Sequence, residues 1–205
     1  RPSARSNRSS RGAVGLSSLR AVGLGVLLAL ASVGPSPSSA APSSSAASPE
    51  AASVDPVVGV YERVSPCVVG LSCSADQGYY FGTGTIIDPA GLVVTSTTVI
   101  PSDAKNIIVY LRDARLAAGE LVLTNDELEL ALLRITGASD ERLPFVELGR
   151  SSTLRRGDLA LTFGNSFRSI ETDDQVSLGK GLISGFYSLE ETFSQSKYTG
   201  PAIET

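Results

Sequence analysis

Apolar residues are distributed along this chain in two different ways. Between Ala21 and Gly34 they form an uncharged run of 14 residues, set behind five arginines and followed by Pro35 and Pro37. From Val57 onward they come as short β-branched runs broken by Gly, Pro, Asp and Asn, the spacing of an all-β barrel or sandwich. These runs predict strands over Cys67–Cys73, Tyr79–Ile87, Leu92–Thr97, Asn106–Arg112, Arg115–Leu123, Leu128–Ile135, Asp158–Phe163 and Gln175–Tyr187, with a short opening helix over Val57–Arg63. No stripe of 3.6-residue period persists between them, which disfavours βαβ units and a nucleotide-binding parallel sheet. Gly82-Thr83-Gly84 has no third glycine and no following helix, so it predicts a closely packed backbone in a strand and not a phosphate loop.

The first apolar run is shorter than the ~20 residues of a comfortable bilayer span and has the Arg-rich approach of a signal peptide. Small residues at Ser38-Ser39-Ala40 place cleavage near Ala40; left uncleaved, the same run would be a membrane anchor, the one route to membrane contact. Residues 32–53 are almost wholly Ser, Ala and Pro, with too little apolar surface to offset the entropy of ordering, and so predict a disordered tether. The expected organisation is a signal peptide or anchor over 1–40, a linker over 41–56 and a domain over 57–205. The domain is expected to be exported to the periplasm, the cell surface or the medium. Arg1 is not read as a native start.

Composition narrows the chemistry. The chain of 205 residues contains no histidine, which removes the usual base near neutral pH and the usual ligand of zinc and copper. Its two cysteines are too few for a disulfide scaffold or a Cys-only zinc site. Cys67 and Cys73, six apart on one predicted strand, would lie about 20 Å apart, so they predict two unpaired core thiols. Beyond residue 50 the chain carries 12 basic and 20 acidic residues, a net charge that disfavours nucleic acid as a partner.

Several segments carry a family likeness. They are Val64-Ser65-Pro66-Cys67-Val68-Val69, then Gly82-Thr83-Gly84-Thr85-Ile86-Ile87-Asp88, then Leu92-Val93-Val94-Thr95-Ser96-Thr97-Thr98-Val99-Ile100. Glu129-Leu130-Ala131-Leu132-Leu133 follows, then Leu148–Asp158, Phe163-Gly164-Asn165-Ser166, Gly181-Leu182-Ile183-Ser184 and Ile203-Glu204-Thr205. In this order, over nearly all of residues 57–205, they resemble the trypsin-like serine proteases of the HtrA (Deg) type. The resemblance implies a chymotrypsin-type double β-barrel, the first barrel over about residues 60–140 and the second over about 148–205. From the composition, no cofactor and no metal are expected. By the same resemblance the second barrel is expected to be incomplete at Thr205, with the family's Gly-Asn-Ser-Gly-Gly nucleophile loop falling beyond it.

The resemblance also assigns the departures. Thr98 stands at the histidine position of the triad and Glu129 at the aspartate position, while Ser166 replaces the proline of the Gly-Asn-Pro turn. A threonine hydroxyl can neither take the serine proton nor return it to the leaving amine, and a carboxylate without a ring to orient has no triad role. Lysine as a substitute base is disfavoured among Lys105, Lys180 and Lys197: Lys197, with Ser194 three residues before it, lies in a polar loop where a lysine stays solvated and charged. The acidic pairs Asp173-Asp174 and Glu190-Glu191 predict solvated loop charges. A protease homologue that binds an extended peptide or unfolded segment without cleaving it is the expected function. Two other classes stay open: a fragment of an active serine endopeptidase whose nucleophile loop lies past Thr205, and a structural surface domain with no peptide affinity.

Overall fold

The computed structural model describes residues 55–137, 142–189 and 198–205. The segment expected to be a signal peptide or anchor, the Ser/Ala/Pro segment before Asp55, the Glu190-Glu191 pair, Ser194 and Lys197 lie outside the described residues. Among the described residues no helix is long and apolar enough to cross a membrane.

The opening helix α1 spans Pro56–Val64, begun by Asp55, whose Oδ1 accepts from the Val57 amide at 2.9 Å. Proline is suited to this first turn because its missing N–H has no intrahelical partner to lose. A 3₁₀ turn over Ser65–Cys67 carries the chain into the strands β1 Val68–Ala75, β2 Gly78–Asp88, β3 Leu92–Ser96, β4 Lys105–Tyr110, β5 Leu116–Asn125 and β6 Leu130–Thr136. These close into an antiparallel barrel in the order β1-β2-β3-β6-β5-β4. Cys67 therefore sits in the turn and not on β1, and both thiols are buried and unpaired. Period-two alternation turns Leu71, Ile86, Val93, Val109 and Leu133 into the barrel, each fully buried.

Six consecutive residues of β1, Val68–Cys73, are buried, because both faces of the strand are covered. Val69, Leu71 and Cys73 enter the barrel core, while Val68 joins a second apolar cluster with Val60, Val64, Leu161, Phe163, Ile170 and Val176. That cluster fastens α1 and the C-terminal half to the outside of the barrel. Tyr61 stacks on Phe163 with ring centroids 6.2 Å apart and donates its hydroxyl to the Val176 carbonyl at 3.0 Å.

Beyond the barrel, β7 Leu159–Gly164 pairs with β8 Ser177–Leu182, and β9 Gly185–Leu189 pairs with β10 Gly200–Glu204. The single strand expected over Gln175–Tyr187 is thus two. Its break has a local cause: Ile183 donates to the Asp158 carbonyl and accepts from Gly157, whereas Ser184 donates to the Glu204 carbonyl, so the chain changes partner between these residues. Between β7 and β8 a 3₁₀ turn over Ser166–Arg168 leads into the short helix α2, Ser169–Asp173, where the sequence pattern predicts only loop.

Candidate functional site

The site is built where β3 ends. Val93 and Thr95 are buried, and Thr95 Oγ1 donates to the Thr83 carbonyl at 2.8 Å, clamping β3 to β2. After Ser96 the chain turns, with the amides of Val99 and Ile100 both donating to the Ser96 carbonyl at 3.0 Å. Val99 and Ile100 are buried and anchor the turn in the barrel core, so Thr98 is left exposed at the rim. Ser96 Oγ accepts from the Thr98 amide at 3.1 Å and lies 2.9 Å from Thr98 Oγ1. The Ser96 side chain, which the sequence pattern does not single out, thus fixes the turn.

The β5–β6 hairpin supplies the other side. Asn125 Oδ1 accepts from the Leu128 amide at 2.8 Å, and Glu129 follows with φ of 52°, in the left-handed region. Ser96 pairs with Leu130, and the Thr97 amide donates to the Glu129 carbonyl at 3.0 Å, so the turns bearing Thr98 and Glu129 adjoin. The fold brings together the two residues that the resemblance marks. Beneath them Cys73 Sγ donates to the Val99 carbonyl at 3.5 Å, and its thiol is pushed up to about 11 by burial first and by the Asp103 charge second. Burial also pushes the Cys67 thiol up. Neither is an activated nucleophile.

The glycines of Gly82-Thr83-Gly84 have the close packing expected of them. A Cβ at Gly82 would fall 2.5 Å from Val99 Cγ2, and one at Gly84 would fall 2.6 Å from Val93 Cγ1. Thr83 between them receives the turn that follows β7: the Asn165 amide donates to Thr83 Oγ1 at 2.9 Å, and Asn165 Nδ2 donates to the Gly82 carbonyl at 3.3 Å. Asn165 Oδ1 accepts from the Ile170 amide at 2.8 Å, so one side chain ties α2 to the barrel. Glu171 packs over Gly70 with its side chain 5% exposed.

The remaining candidates fall elsewhere. Lys105 is exposed and 3.4 Å from Asp76, and Lys180 is exposed on β8, so neither approaches Thr98's turn as a desolvated base. Asp173 is exposed as expected, but Asp174 is not a solvated loop charge. Its Oδ1 lies 3.2 Å from Arg112 Nε, off hydrogen-bonding alignment, and its Oδ2 accepts from the Asp113 amide at 3.1 Å. The correction arises because α2 folds back onto the end of β4, a contact that sequence spacing does not reveal.

A family model, Trypsin-like peptidase domain, matches residues 82–203. The chain belongs to this family. Within it the likeness is to the HtrA type. A "Probable periplasmic serine endoprotease DegP-like" of Rickettsia conorii is 39% identical over 89 residues, covering 43% of this chain and 17% of that protein. The human "Serine protease HTRA4" is 31% identical over 118 residues, covering 54% of this chain and 24% of that protein. A solved structure, "HtrA-type protease AlgW with tripeptide", superposes with a TM-score of 0.57 at 26% identity, covering 71% of this chain and 49% of that one. The chain thus spans under a quarter of the length of the two curated relatives and about half of the solved one. This HtrA-type homologue is mostly β, with the closed first barrel of a trypsin-like fold.

Proposed function

We propose that this chain is an exported HtrA-type protease homologue with a degenerate triad, which binds an extended peptide or unfolded protein segment without hydrolysing it. One observation carries this: the rim turn after β3 presents Thr98, hydrogen-bonded to Ser96, beside the turn of Glu129, in a chain without histidine. With Thr98 at the base's position and Glu129 at its carboxylate partner's, the site holds a carboxylate and a hydroxyl but no imidazole to take the nucleophile's proton and return it to the leaving group. Loss of the base alone typically removes on the order of 10⁶ in turnover, whereas substrate binding depends on backbone edges and side-chain pockets that need no base. Support for peptide as the ligand comes from the solved relative, named as a protease with tripeptide, and for export from the word periplasmic in the names of curated ones.

The test is labelled, denatured casein incubated with the purified chain. Binding without cleavage is the expected result. Cleavage blocked by a serine-directed acylating inhibitor would overturn the proposal and establish an active endopeptidase, the activity that the relatives' names carry. The absence of any binding would make the chain a structural surface domain instead.

A further inference from the structure

We propose that the two turns over residues 150–158 form a binding site for a short linear polyanion that carries phosphate or sulfate groups, held by Arg150, Arg155 and Arg156. This site is separate from the peptide-binding function proposed above and does not depend on it.

The segment that joins the barrel to β7 is the basic part of an acidic domain. Residues 142–156 hold four of the 12 basic residues that follow residue 50, namely Arg142, Arg150, Arg155 and Arg156, but only one of the 20 acidic ones, Glu147. All four arginines are exposed. Among the described residues neither Arg150 nor Arg156 has an ion-pair partner. Arg155 Nε lies 3.8 Å from Asp158 Oδ1, yet Asp158 serves the turn itself: its Oδ2 accepts from the Arg155 amide at 2.8 Å, and its side chain is 32% exposed.

The backbone fixes where these side chains start. The Arg150 carbonyl accepts from the Thr153 amide at 3.2 Å and from Thr153 Oγ1 at 2.8 Å, closing the 3₁₀ turn Ser151–Thr153. After Leu154 a second turn closes, with the Asp158 amide donating to the Arg155 carbonyl at 3.1 Å. Gly157 within it has φ of 91°, which a side chain would strain, and its amide donates to the Ile183 carbonyl at 2.8 Å, pinning the turn to the end of β8. With a 3₁₀ turn between them, the Cα atoms of Arg150 and Arg155 lie within about 13 Å of each other. The exposed hydroxyl residues Ser151 and Ser152 stand between the two.

Three guanidinium groups on a braced base suit a chain of oxyanions. Each planar fork pairs two N–H groups with two oxygens of one phosphate or sulfate, a match that a point charge lacks. The rest of the domain limits the size of the ligand. A long rigid polyanion or a broad anionic surface would also meet the acidic remainder, whereas a short flexible chain stays within the screening length of about 8 Å around the arginines.

The test is amide NMR on the ¹⁵N-labelled 205-residue chain, titrated with inorganic tripolyphosphate and with a heparin-derived hexasaccharide. Residue-resolved shifts are required because five arginines among residues 1–20 attract polyanions as well. The amides of Gly149, Arg150, Ser151 and Gly157 are expected to shift saturably, and the tighter of the two probes names phosphate or sulfate as the group recognised. Arg150→Ser and Arg156→Ser should each weaken binding about fivefold, the scale of one exposed charge contact, and a rise in NaCl from about 50 to 300 mM should weaken it about tenfold. Both side chains are exposed, so the barrel amides should keep their positions in either variant. Absence of saturable shifts at these amides, or variants that bind as the unmodified chain does, overturns the site. Broadening of the same amides by phosphatidylglycerol vesicles, without a response to either soluble probe, would give the arginines to a membrane surface and also overturn it. Casein binding bears only on the function proposed above.

Discussion

Ser96 and Thr98 decide what the rim turn can do, because their hydroxyls satisfy each other and the turn amide. An imidazole placed at position 98 would need a serine oxygen within about 2.6–3.2 Å, and the hydroxyl beside it, that of Ser96, is already the cap of the turn. Thr98→His, alone or with Glu129→Asp, is therefore expected to leave labelled casein uncut by the 205-residue chain; inhibitor-sensitive release of label would contradict this. Cys73 supports the same turn from below. Its thiol, pushed up to about 11 from an ordinary value of 9.0, stays protonated in the folded chain where an unfolded one ionises. The unfolded chain then binds fewer protons than the folded one, so this group's contribution is fully present below about pH 9 and declines as pH rises toward 11. Alkylation of the native chain by iodoacetamide at pH 8 should be slow at Cys73 and become fast in urea; rapid native labelling would show that the thiol is neither buried nor raised.

At the scale of elements, the joint between α1 and the β7–β8 ribbon is the most specific contact outside the barrel. It combines ring stacking of Tyr61 on Phe163 with one hydroxyl bond to the carbonyl of Val176. Tyr61→Phe keeps the stack and removes the bond, so it should lower stability by about 1 kcal/mol in urea denaturation, the net worth of a partly buried hydrogen bond. A change of about 3 kcal/mol or more would mean that the ring itself had moved. The division of the expected Gln175–Tyr187 strand belongs to this scale too. Ile183 is buried and apolar, and the exchange of partners from Asp158 to Glu204 falls between it and the Ser184-Gly185 that follows.

For the whole molecule, the two apolar clusters make separate contributions. The barrel core closes on itself through β1 and β4, while the second cluster lies outside the barrel and is reached from it mainly through Val68. Phe163, fully buried in the second cluster, is its largest member, and Phe163→Ala should destabilise the α1 and β7–β8 layer by about 3–5 kcal/mol. Amide exchange should quicken first in α1, β7 and β8, with β2, β3 and β6 keeping their protection, because local opening follows the contacts that are lost. Simultaneous loss across both layers would show a single cooperative unit.

Much of this was legible in the order of residues. Alternating β-branched runs place all six barrel strands to within a few residues, because a strand with one face in a core must alternate. The opening helix expected over Val57–Arg63 is found over Pro56–Val64, and Gly82 and Gly84 mark where side chains from the facing strands leave no room for a Cβ. The absence of histidine limits the chemistry whatever the fold. What the order of residues could not show depends on contacts between distant segments. Cys67 left β1 for a turn because the α1 end packs there; Asp174 was drawn to Arg112 by the return of α2; Arg168 came to rest on Phe81, 87 residues away along the chain. Periodicity reports which face of an element seeks a core, but not which other element arrives to cover it. The adjoining of Thr98's turn with that of Glu129 was decided only by closure of the barrel.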